Sequence, residues 1–453
     1  MATHLAHRDR HWDRQPQADA AYRAVLDDLL RQSPPIADFA ARLLDATGIR
    51  LRDIVDHLEL SSSQHRSLLE GAGWDAQPDG LWVNPLGMFP PFVAAHRTVL
   101  YVRAESMECF AQVHGFAGPI EGEPFAPLRK APVLLGHDVS LGVIERNGGV
   151  GVLVANYDPA EIRTARLHLQ AFRARRRAFD RVEDGLAHVE QLVDAAVAAL
   201  GPHRACAFWL TAERAYWMQR CAAGRLQKAR QDWFGLGWVN IDHHTYDSSR
   251  LHYRHTIRIL ERLGYERREM LYAGELAGWG SQVLEQPVIG STIFADVDLA
   301  PEELGLDFAQ ETLPALPRHR RAGLLSALLG ESILEAGLNH VAGLFDQSRL
   351  RAQLADQGVT MMAPFSDMPH LYQELTDGDW DAVDPMRVDQ LEREGHIGSD
   401  EAEKLRIEGS IVTHLENIER NDGYKGFNRE GIDSVLRKLD PRAYHGEAQA
   451  AVQ

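Results

Sequence analysis

The sequence predicts an α+β fold. Three observations carry it: a strand-like block opening at His96, a second opening at Trp238, and a strongly helical stretch, residues 159–235, between them. In the first block, His96-Arg97-Thr98-Val99-Leu100-Tyr101-Val102-Arg103 is rich in β-formers, and Glu105 to Val113 then takes a helical spacing. In the second, Trp238-Val239-Asn240-Ile241-Asp242-His243-His244-Thr245-Tyr246 is followed by a helix over about Leu251–Leu263. Strand candidates at Gln282–Leu284 and Ser291–Val297 complete it. The two blocks read as divergent copies of one unit.

The other elements follow in order. Ala21, Val25, Leu29 and Leu30 recur at helical spacing until Pro34-Pro35 breaks the run. Ile36–Leu44, Ile54–Leu60 and Ser61–Leu69 read as short helices, the last with an N-cap among Ser61–Ser63. Trp74 to Pro91 is a Gly/Pro/Asn-rich loop or small hairpin, and Val133 to Val154 holds short β-prone runs around Gly148-Gly149. The arginines between Arg163 and Arg177 alternate with Leu167, Leu169 and Phe172, a solvated helix face with Arg stems lying along it. Beyond Asp298 the chain reads as mixed but mainly helical, with a polar tail after Pro441.

Composition narrows the function. The chain has 453 residues, 45% hydrophobic, with nine Trp and 15 Phe, so it can bury a substantial core and is not a disordered acidic chain. Its formal charge of −17 disfavours nucleic acid as a partner, because phosphate binding needs clustered positive charge. Cys109, Cys206 and Cys221 form neither a disulfide framework nor a thiolate zinc motif. The start carries no apolar leader and no window holds 18 uninterrupted apolar residues, so a cytoplasmic protein without membrane contact is expected. No GxSxG elbow, P-loop or HExxH occurs.

What remains is metal chemistry. An inward-facing His on one strand, with a carboxylate on a neighbouring strand, can chelate a metal. His96 begins the first block, and His243 lies in the second beside His244, one of which must point inward by alternation. Asp296 and Asp298 share a face in Ile293-Phe294-Ala295-Asp296-Val297-Asp298, and Glu285 is a rival carboxylate on the preceding strand candidate. Two imidazoles and one carboxylate on one face of a metal leave positions open for substrate and dioxygen, as in non-haem Fe(II) oxygenases.

The block Asn240-Ile241-Asp242-His243-His244-Thr245, then Leu263-Gly264-Tyr265, then Phe294-Ala295-Asp296-Val297-Asp298 resembles the 2-oxoadipate dioxygenase/decarboxylase family. The late stretch Gly426-Phe427-Asn428-Arg429-Glu430 is also similar to it. That family has a vicinal-oxygen-chelate fold and is distantly related to hydroxyphenylpyruvate dioxygenase. The resemblance implies a half-barrel of paired βαβββ-like modules with large helical insertions. It also implies Fe(II) held by His96, His243 and Asp296, with Asp298, Glu285 and His244 as alternatives. Asp296 stands where the family has Glu, and Leu100 or Tyr101 stands near the family's substrate-reading Arg. The implied reaction is oxidative decarboxylation and hydroxylation of a 2-oxo acid by dioxygen, with Arg250 and Arg254, after His243, holding the distal substrate group. The rival expectations are a metal-dependent lyase, isomerase or hydrolase on the same fold, and a non-enzymatic protein that binds a small ligand. The expected organisation is an N-terminal helical region at 1–90 and a metal-binding domain at 91–440 with its helical insertion at about 159–235. A tail follows at 441–453.

Overall fold

The computed structural model describes residues 10–155, 158–428 and 439–444. Arg429 and Glu430 of the late stretch, and the tail from 445, lie outside the described residues. Helices α1 (Pro16–Gln32) and α2 (Pro34–Thr47) each begin at a proline, whose missing N–H is one the first turn would leave unpaired anyway. Strand β1 (Val55–Leu60) and helix α3 (Ser63–Glu70), capped by the Ser62 side chain, follow. Next come β2 (Asp75–Ala76), β3 (Trp82–Val83), β4 (Phe92–Ala94), β5 (Thr98–Arg103), α4 (Met107–His114), β6 (Leu128–Leu134) and β7 (Val139–Arg146). These seven strands form one sheet in the order β2-β3-β4-β1-β5-β7-β6.

Four helices come next: α5 (Pro159–Arg173), α6 (Val182–Leu200), α7 (Pro202–Arg220) and α8 (Ala222–Trp233). The second sheet is built from β8 (Ile241–Ser248), then, after α9 (Tyr253–Arg262), β9 (Glu266–Tyr272), β10 (Trp279–Gln286) and β11 (Ser291–Asp298). Helix α10 (Arg321–Leu329) precedes β12 (His340–Leu344), α11 (Gln347–Ala355), β13 (Ser366–Met368), β14 (Leu371–Leu375) and β15 (Asp379–Asp381). Helices α12 (Pro385–Arg393) and α13 (Ser399–Glu408) lead into the long β16 (Ser410–Arg420). The order is β13-β14-β16-β12-β8-β11-β10-β9, with β15 also on β16.

One rule generates both sheets. A strand is followed by a helix, then by further strands, and the last strand of the set returns to lie parallel to the first. This holds for β1 and β4, β5 and β7, β8 and β11, and β12 and β16. Within each sheet the two first strands then abut antiparallel, β1 on β5 and β8 on β12. The chain thus contains four βαβββ-like modules in two pairs. In the second half-module of the first sheet, an isolated bridge from Glu121 to Lys130 occupies the edge where its sibling places a full strand. The expected α+β class, curled half-barrel sheets with helical insertions, is what the chain adopts.

One local expectation is corrected and another refined. Ile54–Leu60 is not a helix; its buried polar residues Asp56 and His57 mask a strand that pairs on both sides. The region beyond residue 298 is mixed, with more helix than strand as expected, but it supplies five strands of the second sheet where none was assigned. An apolar core runs from Val25 and Leu43 through Leu100 to Trp209, Tyr246 and Ile293. Burying each such side chain contributes about 1.5–3 kcal/mol. Among the described residues no helix is long and apolar enough to cross a membrane.

Candidate metal centre

The register of three neighbouring strands builds the site. Ala342 on β12 is the Cα partner of His243 on β8 and of Glu416 on β16. Partners across a sheet project to the same face, so His243, Ala342 and Glu416 form a row. His340, two residues before Ala342, joins them on that face. His243 Nε2 and His340 Nε2 each lie 3.1 Å from Glu416 Oε2 and 3.3 Å from one another. Metal–donor lengths of about 2.1 Å place neighbouring donors roughly 3 Å apart, so two imidazoles and a carboxylate fit one octahedral face.

Each donor is held by a second partner. Asp242 Oδ2 meets His243 Nδ1 at 2.8 Å and is itself clamped by Arg420, at 2.6 and 3.0 Å. Asn339 Oδ1 lies 3.3 Å from His340 Nδ1, and Gln373 Nε2 donates to Glu416 Oε1 at 2.9 Å. Such contacts fix ring orientation and leave Nε2 of each imidazole aimed at the shared position. Burial alone would pull the His243 imidazole down, but the Glu416 and Asp242 carboxylates override it and raise it to about 9. Burial likewise works to raise Glu416, yet His243 and His340 hold it well below the usual carboxylate range. The carboxylates thus favour positive charge at this position, and a divalent cation held there would supply it.

Because Ala342 is the only side chain between His243 and Glu416 along the row, its size limits their approach. Ala342→Leu is expected to weaken divalent-metal binding at least tenfold, at about 1–3 kcal/mol of stability. Calorimetric metal titration beside a denaturant curve checks this; unchanged affinity would contradict the row.

The donors open into a small cavity with walls from Leu271, Phe294, Phe365 and Phe427. Arg321 and Asp296 line it as well. Arg321 Nη1 is 3.4 Å from Asp296 Oδ2, its Nη2 is 3.4 Å from Asp247 Oδ1, and its guanidinium lies 4.9 Å over Trp279. Burial raises the Asp296 carboxyl to about 7; Arg321 opposes the rise and the neighbouring Asp247 adds to it.

The expected set of His96, His243 and Asp296 is not what converges. His243 is in the group; His96 is exposed in the turn between β4 and β5, in the other sheet. Asp296 shares the cavity, but its contact is Arg321 rather than the imidazoles. His244 points to the opposite face of β8. Glu285 lies outside this cavity, facing Lys425 at 3.6 Å and Arg268 at 3.9 Å. Arg250 and Arg254 do not line the cavity either. Arg250 is bound to Glu303, to the Pro314 carbonyl and to the Asp298 carbonyl at the end of β11. His340 and Glu416 were missed. One signal could have found His340: an Asx residue precedes the histidine on both first strands, Asp242-His243 and Asn339-His340, and orients its ring.

Asp298, the other rival ligand, accepts the Arg320 backbone N–H at 2.8 Å at the start of α10. Burial raises its carboxyl from 3.8 to about 6, against the backbone N–H groups of Gly323, Arg320 and Ala322. An acid with a raised folded pKa is more stable folded when protonated, so its contribution is full below the unfolded value and lost as pH rises through about 6. Asp298→Asn, which keeps an acceptor, is expected to stabilise the fold by on the order of 3 kcal/mol near pH 8 and not near pH 4. Denaturant curves at the two pH values check the sign.

No protein-family model matches the chain, and no curated protein matches it. Solved structures overlay it weakly. A 4-hydroxymandelate synthase mutant from Streptomyces coelicolor covers 75% of this chain and 97% of its own, at 12% identity and a TM-score of 0.29. Methylmalonyl-CoA epimerase from Mycobacterium tuberculosis covers 40% and 88%, at 12% identity and a TM-score of 0.23. A variant of the Streptomyces coelicolor methylmalonyl-CoA epimerase, in complex with 2-nitronate-propionyl-CoA, covers 40% and 96%, at 14% identity and a TM-score of 0.22. These three are vicinal-oxygen-chelate superfamily members. Overlap at this level carries no argument about chemistry, which rests on the three convergent side chains.

Proposed function

We propose that the chain is a metal-dependent enzyme acting on a small carboxylate, with Fe(II) as its metal and a 2-oxo acid and dioxygen as its substrates. The observation that carries this reading is the convergence of His243, His340 and Glu416 on one face, open to a cavity. Fe(II) bound there would supply Lewis acidity and dioxygen chemistry to a chelated substrate. The chain's own residues do the rest. Asp242, Asn339 and Gln373 keep the donors oriented. Leu271, Phe294 and Phe365 exclude water and accept the apolar part of the substrate. Arg321 makes its two ion pairs at 3.4 Å and has an unpaired buried Nε, so its donors are available to a second carboxylate.

The test is oxygen uptake and carbon dioxide release by the Fe(II)-loaded chain against a panel of linear and aromatic 2-oxo acids. Uptake coupled to release with at least one of them is expected, and it should vanish in His340→Ala. No uptake with any acid would sink the oxygenase reading. A second reading is favoured by one feature: Asp296 lines the donors' cavity, and burial raises its carboxyl to about 7. A group poised this way suits proton transfer, as a lyase or isomerase needs. Turnover under nitrogen, with solvent deuterium entering the product and lost in Asp296→Asn, would select it.

A further inference from the structure

The opposite face of β8 borders a second, larger cavity of about 1050 Å³, enclosed by α7, the first sheet and the segment before β8. Many of the cations around it are neutralised by carboxylates. Arg129 pairs with Glu145, Arg146 with Asp56, Lys228 with Glu105, Arg268 with Glu269, and Arg420 with Asp242. Arg214 on α7 is different. It is half-buried and lines the cavity, yet among the described residues it makes no ion pair. Its one polar contact there is Nη1 to His244 Nε2, at 3.4 Å, and its Nε has no partner. Glu105, whose charge acts on it, is already engaged by Lys228 at 3.0 Å and by the Trp238 backbone N–H at 3.1 Å.

An arginine keeps its charge in such surroundings, and a half-buried guanidinium without a counter-ion is a ready partner for an anion. Its planar fork matches a carboxylate or a phosphate, which can accept two parallel hydrogen bonds. The cavity lining also includes apolar and aromatic side chains, among them Phe208, Leu236, Trp238 and Val239. They suit the body of an organic molecule rather than a bare ion. The His244 ring lies at the same spot, its Nε2 taking the Arg214 Nη1 contact and its Nδ1 without a hydrogen bond.

We propose that Arg214 and His244 anchor a small organic oxyanion with an aromatic or apolar body in this cavity, at a site separate from the His243, His340 and Glu416 donors. The two sites lie back to back, since adjacent residues of β8 serve them from opposite faces.

The test uses the full chain, with calorimetry and tryptophan fluorescence, titrated with benzoate, phenyl phosphate and inorganic phosphate. Benzoate or phenyl phosphate is expected to bind at one site per chain and to perturb the Trp238 emission, the stronger of the two identifying the oxyanion. Inorganic phosphate should bind at least tenfold more weakly, because it lacks the body that the apolar walls accept. Arg214→Met should weaken binding at least tenfold, and His340→Ala should leave it unchanged. No binding of either organic anion below about 10 mM, an affinity too weak to count as a built site, would overturn the proposal. So would equal binding by Arg214→Met, or loss of binding in His340→Ala, which would assign the anion to the donor cavity. Should Arg214→Met fail to fold by circular dichroism, Arg214→Lys decides. It keeps the charge and loses the fork, so weaker binding supports the site and unchanged binding refutes it.

Discussion

Chains carrying His340→Ala or Glu416→Gln are expected to lose divalent-metal binding by more than about 100-fold, beyond the 10–100-fold that outer partners of a metal site typically contribute. Each substitution removes one of three donors that meet within 3.1–3.3 Å, and no fourth carboxylate or imidazole belongs to the group among the described residues. Asp242→Asn should fall in the milder range. It leaves His243 in place but replaces an ionised partner at Nδ1, and it breaks the pair with Arg420. His96→Ala should change nothing, because the residue is exposed in the first sheet. Metal content after dialysis and an anaerobic Fe(II) titration read all four, with circular dichroism confirming that each chain is folded. Metal retained by His340→Ala but lost by His96→Ala would falsify the assignment.

The two sheets differ in how plainly the sequence announces them. Strands β8, β10 and β11 were legible because Ile241, Tyr246, Val283 and Ile293 set off β-prone runs with a helix between, whereas the charged β9 was not. The last module was not. Its inward residues include Gln373, His414 and Glu416, all buried, so the face toward the cavity is polar and the alternation that marks a half-buried strand is absent. The same inversion hid β1, where Asp56 and His57 are interior. A fold that carries a polar site inside a half-barrel writes surface-like residues at core positions. That is why the strands of the module holding two of the three donors went unread. His96 and His243 do share the cue of a histidine at a strand start. What separates them is long-range pairing: β5 joins β1 and β8 joins β12, and no local pattern encodes that choice.

Replacing Glu213 is expected to cost about 3–5 kcal/mol, the range for removing one partner of a buried ion pair. Its side chain is fully buried on α7, and Oε1 accepts from Arg175 Nη2 at 2.7 Å and Arg177 Nη2 at 2.6 Å. Oε2 accepts from the Tyr246 hydroxyl at 3.1 Å, and that oxygen accepts from Trp209 Nε1 at 3.1 Å. Arg175, equally buried, lies 4.6 Å over the Trp209 ring and donates to the Ile333 carbonyl at 2.9 Å. The network thus binds α7 and the segment after α5 to β8, within three residues of His243. Glu213→Gln keeps the volume and an acceptor, but it leaves two guanidinium groups facing a neutral amide in a medium that screens poorly. An exposed pair such as Arg181 and Glu183, at 3.6 Å, should contribute far less when broken, because water screens it, and serves as the control. The pH dependence has a definite sign. Burial works to raise Glu213, but Arg175 and Arg177 hold it below its usual range. The stability it contributes is therefore present above the unfolded value of 4.5 and is lost as pH falls through the lower folded value. Denaturant midpoints of Glu213→Gln and the unchanged chain should differ widely at neutral pH and draw together as pH falls below 4.5, the unfolded value. A constant gap across that range would show that the cost is steric, and that the charge of Glu213 does not hold the helices to β8.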